Sequence, residues 1–150
     1  MTTKFKLTLA LVRSRHFLHE FQRRLVINGQ ETATVVYGDR IEKVCRFGAN
    51  HLLVTSYDYF DGVHHWFTML NSRGKILDMA TTPDFLGFIQ WLDSPSPDCL
   101  RFSFFGADDI WQIRVLSEGT WSFRRIDIER RWNRYVFAKR RMFFSIEKAM

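Results

Sequence analysis

A chain of 150 residues, 46% hydrophobic and 25% charged, is large enough for one self-sufficient core and supplies nothing that forces a second domain. Only two cysteines occur, Cys45 and Cys99, with no C-x-x-C pair and no zinc-ligand spacing, so neither a disulfide framework nor a structural metal is expected. The formal net charge of +6 is carried entirely by the last thirty residues, where nine cations face Asp127, Glu129 and Glu147; the preceding residues balance.

The N-terminus, Met1 to Lys6, has no continuous apolar run or cleavage site of a signal peptide, and Leu9 to Val12 falls far short of the ~20 residues that span a bilayer. With the two cysteines read as buried free thiols, a cytoplasmic location is expected, with no membrane association. From Lys4 to Leu11 polar and apolar residues alternate, the period of a half-buried strand. Phe17, Leu18, Phe21 and Leu25 then fit a helical face behind a cap at Ser14, giving a short helix or irregular piece. It runs into a hairpin whose turn is Asn28-Gly29, a pair that tolerates the left-handed backbone of a primed turn.

A meander follows. Ile41 to Phe47, His51 to Tyr59, Val63 to Leu70 and Lys75 to Met79 are β-branched or aromatic runs, separated by Gly48-Ala49-Asn50, by Asp61-Gly62 and by Asn71 to Gly74. Asp61-Gly62 reads as a second primed turn. Thr82-Pro83-Asp84 resembles a helix start, and Phe85, Leu86, Phe88, Ile89 and Leu92 recur at helical spacing, which predicts a helix at about 83–93 ended by Ser94-Pro95-Ser96-Pro97. Strands are predicted at Cys99 to Phe105, Ile110 to Leu116 and Thr120 to Ile128, the last two joined by a turn at Ser117-Glu118-Gly119. Trp132, Tyr135, Val136, Phe143 and Ile146 share a helical stripe, so a C-terminal helix is predicted at about 129–148. Its competitor is a pair of strands, Tyr135 to Ala138 and Met142 to Ile146. The expected fold is a single-domain, β-dominated α+β unit over 1–150, an antiparallel meander or barrel-like sheet with those two helices.

Fifteen Phe, five Trp and four Tyr are more rings than usual, and most are expected inside, because each buried ring removes about 150–250 Å² from water. The C-terminal segment mixes such rings with guanidinium groups. Arg124, Arg125, Arg130, Arg131, Arg134, Lys139, Arg140, Arg141 and Trp132 form the candidate partner-binding or nucleic-acid-binding set. Cations displace counterions from phosphates and rings stack on unpaired bases, yet the same residues suit an acidic protein surface or a solvated helix face. Between Asp78 and Glu118 the charge reverses, seven anions standing against Arg101 and Arg114.

Asp58, His64 and His65 bracket the second hairpin and are the only place where a general base or metal ligand suggests itself, although neighbouring residues of a strand point to opposite faces. No nucleophile elbow, phosphate loop, dinucleotide fingerprint or zinc-protease motif occurs. The chain is therefore expected to be non-catalytic, without catalytic residues, cofactor or metal. The expected function is binding to a protein partner through a charged and aromatic surface, as immunity proteins, antitoxins and small regulators do. Binding of RNA or single-stranded nucleic acid through the C-terminal segment is the alternative, and a β-barrel carrier of an apolar ligand is the second alternative.

Overall fold

The computed structural model describes residues 5–11, 22–82, 87–121 and 141–149. They form eleven strands in three antiparallel sheets, with no helix among them. A small N-terminal sheet is built from β1 (Leu7–Leu11), β2 (Gln22–Ile27) and β3 (Gln30–Tyr37). The central sheet is a four-strand meander of β4 (Arg40–Phe47), β5 (Asn50–Tyr59), β6 (Gly62–Leu70) and β7 (Ile76–Thr81). A second meander makes the outer sheet: β8 (Ile89–Ser96), β9 (Cys99–Phe104), β10 (Ile110–Trp121) and β11 (Arg141–Lys148).

The central sheet is covered on both faces. Leu52 and Val54 of β5, Phe67 and Met69 of β6 and Ala80 of β7 meet Leu100, Phe102, Phe104, Trp111, Ile113, Phe144 and Ile146 of the outer sheet. On the other face Leu53 and Leu70 meet Leu7, Leu25 and Val36 of the N-terminal sheet. Accordingly His51 through Ser56 and His65 through Leu70 are buried without a break, where a strand covered on one face would alternate. The larger core is aromatic. Phe67 and Phe102 pack with centroids 5.5 Å apart, and Phe102 meets Phe104 edge-on at 5.6 Å and 82°. Such pairs contribute about 0.5–1.5 kcal/mol each beyond area burial.

Close polar contacts tie the sheets together. Gly38, at φ 93°, turns the chain from β3 into β4 so tightly that a Cβ there would stand 2.8 Å from the Thr55 Cβ and 3.0 Å from the Ser56 carbonyl oxygen, and Asp39 N–H donates to that same carbonyl. On the far edge, the buried Asp78 of β7 accepts from the amides of Met79 and Phe143, each at 2.9 Å, and so bonds the central sheet to β11.

The α+β expectation is overturned, since every described element is a strand. The predicted helix at 83–93 gives way to β8, whose Ile89 and Trp91 pair with Phe104 and Phe102 of β9; residues 83–86 lie outside the described residues. Ile89 and Trp91 both pack on the larger core, so inward positions two apart outcompete the i, i+3, i+4 spacing. Likewise the predicted C-terminal helix at 129–148 is a strand over Arg141–Lys148, with Phe144 and Ile146 buried two residues apart against the core. Its 129–140 part lies outside the described residues. The expected turn at Ser117-Glu118-Gly119 is an irregularity inside β10, which pairs with β11 on both sides of it.

The Asn28-Gly29 hairpin is found, with φ of 50° and 82° at the two turn residues. The second hairpin is shifted by one residue. Tyr59 pairs with Gly62, so the turn is Phe60-Asp61, and neither residue takes the positive φ of a primed turn. That shift leaves Phe60 at the tip, fully in solvent.

Candidate functional site

Three groups of side chains carry enough chemistry or exposure to be weighed: a polar cluster inside the sandwich, a small cavity at one end and an apolar corner at the other. The first contains the two histidines flagged in the sequence. Across the β5–β6 hairpin Ser56 pairs with His65, Tyr57 with His64 and Asp58 with Val63. The histidines therefore face opposite ways, and Asp58 is exposed at the hairpin end.

His64 lies on the N-terminal-sheet side, its ring 4.5 Å from Trp66 and its Nε2 2.5 Å from the Thr81 hydroxyl. The same hydroxyl lies 3.1 Å from the His65 carbonyl oxygen, so its single proton is shared between that acceptor and the His64 ring, according to the His64 tautomer. Burial pushes the His64 pKa below the ordinary histidine value. His65 is fully enclosed on the other face, 5.1 Å from the Phe104 ring, and neither ring nitrogen has a hydrogen-bond partner among the described residues. Burial first, and the neighbouring His64 second, lower its pKa to about 4. Such a histidine stays neutral at physiological pH.

Beside it, the buried Ser56 donates to Glu42 Oε1 at 2.6 Å, and Arg40 Nε lies 3.4 Å from the same oxygen. A serine, a histidine and a glutamate thus share a neighbourhood, but no relay links them. The serine proton goes directly to the carboxylate, and His65 bonds to neither group; a nucleophile needs its base within hydrogen-bond reach. As arranged, the cluster closes the upper interior and holds β4 to β5. Among the described residues no three His, Cys, Asp or Glu side chains converge as metal ligands.

At the other end, a cavity of about 260 Å³ lies between the β4–β5 and β8–β9 turns, lined by Arg46, Phe47, Gly48, Pro97, Asp98 and Val115. Most small-molecule sites are larger, at about 300–1,000 Å³. Arg46 Nε is already engaged by the Gly48 carbonyl at 2.9 Å, and the Ser96 hydroxyl bonds Asp98 and holds its carboxyl below the usual range. Between the central and outer sheets the space is taken by rings with almost no exposure, Phe67, Phe102, Phe104, Trp111 and Phe144.

The third group is outside. Phe105 follows the buried Phe104, so the alternation of β9 turns it outward, and it is 70% exposed. Its amide donates to the Phe88 carbonyl at 2.9 Å, and Phe88 is 45% exposed. Ile110, paired with Ser103 two residues from Phe105, is 43% exposed and completes the corner. Gly87 permits the close approach of these chains, because a Cβ there would sit 2.2 Å from the Phe105 carbonyl oxygen. Arg40 stands over the Phe88 ring at 5.9 Å and links the corner to the mouth of the central sheet.

Charge is distributed unevenly about these ends. The exposed carboxylates of Asp39, Asp58, Asp61 and Asp108 lie at the end that carries the corner, with Glu147 beside them and Asp109 paired to Lys148 at 3.4 Å. The exposed cations Lys6, Arg46, Arg73, Lys75 and Arg114 lie toward the opposite end, where they outnumber the exposed carboxylates of Glu31, Asp93 and Asp98. Of the candidate partner-binding residues, Arg124, Arg125, Arg130, Arg131, Trp132, Arg134, Lys139 and Arg140 lie outside the described residues, and Arg141 opens β11 opposite Trp121. The corner itself escaped the sequence reading. Its signals are the Phe104-Phe105 pair, of which a strand can bury only one, and Phe88, which the helical spacing of 83–93 groups with Ile89 and Leu92.

Comparison with known proteins adds nothing to this geometry: no family model matches the chain, and no curated protein and no solved structure matches it significantly. No helix among the described residues is long and apolar enough to cross a membrane.

Proposed function

We propose that this chain is a small non-catalytic binding protein that acts on a protein partner through a charged and aromatic surface, in the manner of immunity proteins, antitoxins and small regulators. The observation that carries the reading is the exposed Phe88, Phe105 and Ile110 corner beside a run of carboxylates. Apolar side chains grouped on a surface and rimmed by charge are the anatomy of a protein interface, in which a few aromatic anchors supply most of the energy. Two free thiols, Cys45 half-buried and Cys99 buried, accord with a reducing cytoplasmic setting.

The test is recovery of the tagged chain from its native host. A partner in stoichiometric amount supports the reading, and its repeated absence under conditions that keep the chain folded removes it. The alternative, nucleic-acid binding, is favoured by the cations concentrated after Trp121. It requires a logarithmic salt slope of roughly −3 to −4 for single-stranded RNA if four of them meet phosphates. An Arg130→Ala/Arg131→Ala/Arg134→Ala variant that binds the RNA unchanged eliminates it.

A further inference from the structure

We infer that the Phe88–Phe105–Ile110 corner is the docking surface and that its occupant is a basic protein segment presenting one or two apolar side chains. This rests on the protein-binding reading and adds the site and the chemistry of the partner. The three side chains expose apolar area on the order of 300 Å², in the range of the largest patch on a typical monomer and often a functional one. They are held by backbone pairing on both sides, Phe105 to Phe88 and Ile110 to Ser103, with the Ala149 amide bonded to the Ile110 carbonyl at 2.8 Å. A surface fixed in this way loses little freedom on binding.

Charge then selects the occupant. Asp108 sits in the turn between Phe105 and Ile110, and Asp39, Asp58 and Asp61 stand at the same end of the facing sheet. Among the described residues the cations at this end are Arg40, paired with Glu42, Lys148, paired with Asp109, and Arg23 and Arg24 at the start of β2; the carboxylates Asp39, Glu42, Asp58, Asp61, Asp108, Asp109 and Glu147 outnumber them. A basic segment finds complementary charge around an apolar centre, which sets both its approach and its register. Two other occupants meet repulsion. A second copy docked by the same face about a two-fold axis would place these carboxylates against their own images, and a nucleic acid would bring phosphates to them. The chain is basic overall, so an acidic end also orients a cationic partner toward this corner and away from the rest of the molecule.

The experiment titrates the isotopically labelled full chain with two synthetic peptides of equal length and identical Leu and Trp anchors. One carries Lys and Arg at its polar positions, the other Asp and Glu. The cationic peptide is expected to shift the amide resonances of Phe88, Phe105, Asp108 and Ile110, more weakly as salt is raised. Phe105→Ser/Ile110→Ser is expected to lower its affinity at least about tenfold, as loss of interface anchors does; Asp108→Lys is expected to weaken it with the apolar surface intact. Equal response to both peptides overturns the inference. So do shifts that map elsewhere, undiminished binding by the double variant, or corner shifts produced by an oligonucleotide or by raising the chain's own concentration. The wider reading fails separately: a host partner held equally by the wild type and the double variant refutes this docking site alone.

Discussion

The inner cluster of Glu42, Ser56 and His65 and the outer corner of Phe88, Phe105 and Ile110 invert the usual placement of chemistry and packing. Inside are a nucleophile, a base and a carboxylate, the groups from which hydrolytic sites are built; Ser56 and His65 are buried, Glu42 is partly so, and the base bonds to neither of the others. Outside are side chains whose ordinary place is a core, held rigidly by strand pairing. The difference teaches that residue type alone does not locate function. A histidine sealed against Phe104 is a packing element that happens to titrate, whereas a phenylalanine left in water beside Asp108 has surface to offer a partner.

Substitutions can break this contrast, and the largest effects belong inside. Phe104→Ala removes the ring that closes over His65 and should destabilise the chain by about 3–5 kcal/mol in urea unfolding. Next comes pH. The folded pKa of His65 is depressed to about 4 from an ordinary 6.5. Above pH 6.5 both folded and unfolded histidine are neutral and its contribution is complete. Between 6.5 and about 4 the unfolded chain takes up the proton first, so stability falls by about 3 kcal/mol as the pH drops, then levels off. His64, also shifted downward, adds to the loss in the same direction. Chemical unfolding of wild type and His65→Leu from pH 7.5 to 4 checks this, the variant losing much less over the interval. Asp78→Leu should remove about 1–3 kcal/mol, because the Phe143 amide loses the acceptor that joins β7 to β11. Smallest of all, Phe105→Ser should change stability by no more than about 0.5 kcal/mol, as expected of an exposed position.

Strand patterns were the legible part of the fold. The Asn28-Gly29 turn, the meander from Arg40 to Thr81 and the strand opening at Cys99 all follow from period-two runs and turn residues, and these are local physics. Both predicted helices failed because short aromatic runs satisfy two periods at once. Phe143 and Ile146 fit a helical stripe, and Phe144 and Ile146 fit a strand; only the facing sheet chooses between them. The same holds for Phe88, Ile89 and Leu92. Burial of the central sheet on both faces was invisible too, since it depends on β1 to β3 folding back over Leu53 and Leu70. Of the site, the sequence revealed that His64 and His65 must diverge. It could not reveal that Ser56 spends its proton on Glu42, a contact across fourteen residues of chain, or that Phe105 meets Phe88 at an open corner.

Calorimetric titration of a purified host partner against two variants, Phe105→Ser/Ile110→Ser and His65→Leu, places the contrast under the most direct strain. The surface variant should melt with the wild type yet bind at least about tenfold more weakly. The interior variant, held at neutral pH and at a temperature where it is folded, should bind as the wild type does. Full affinity in the first, or lost affinity in a folded second, would contradict the account.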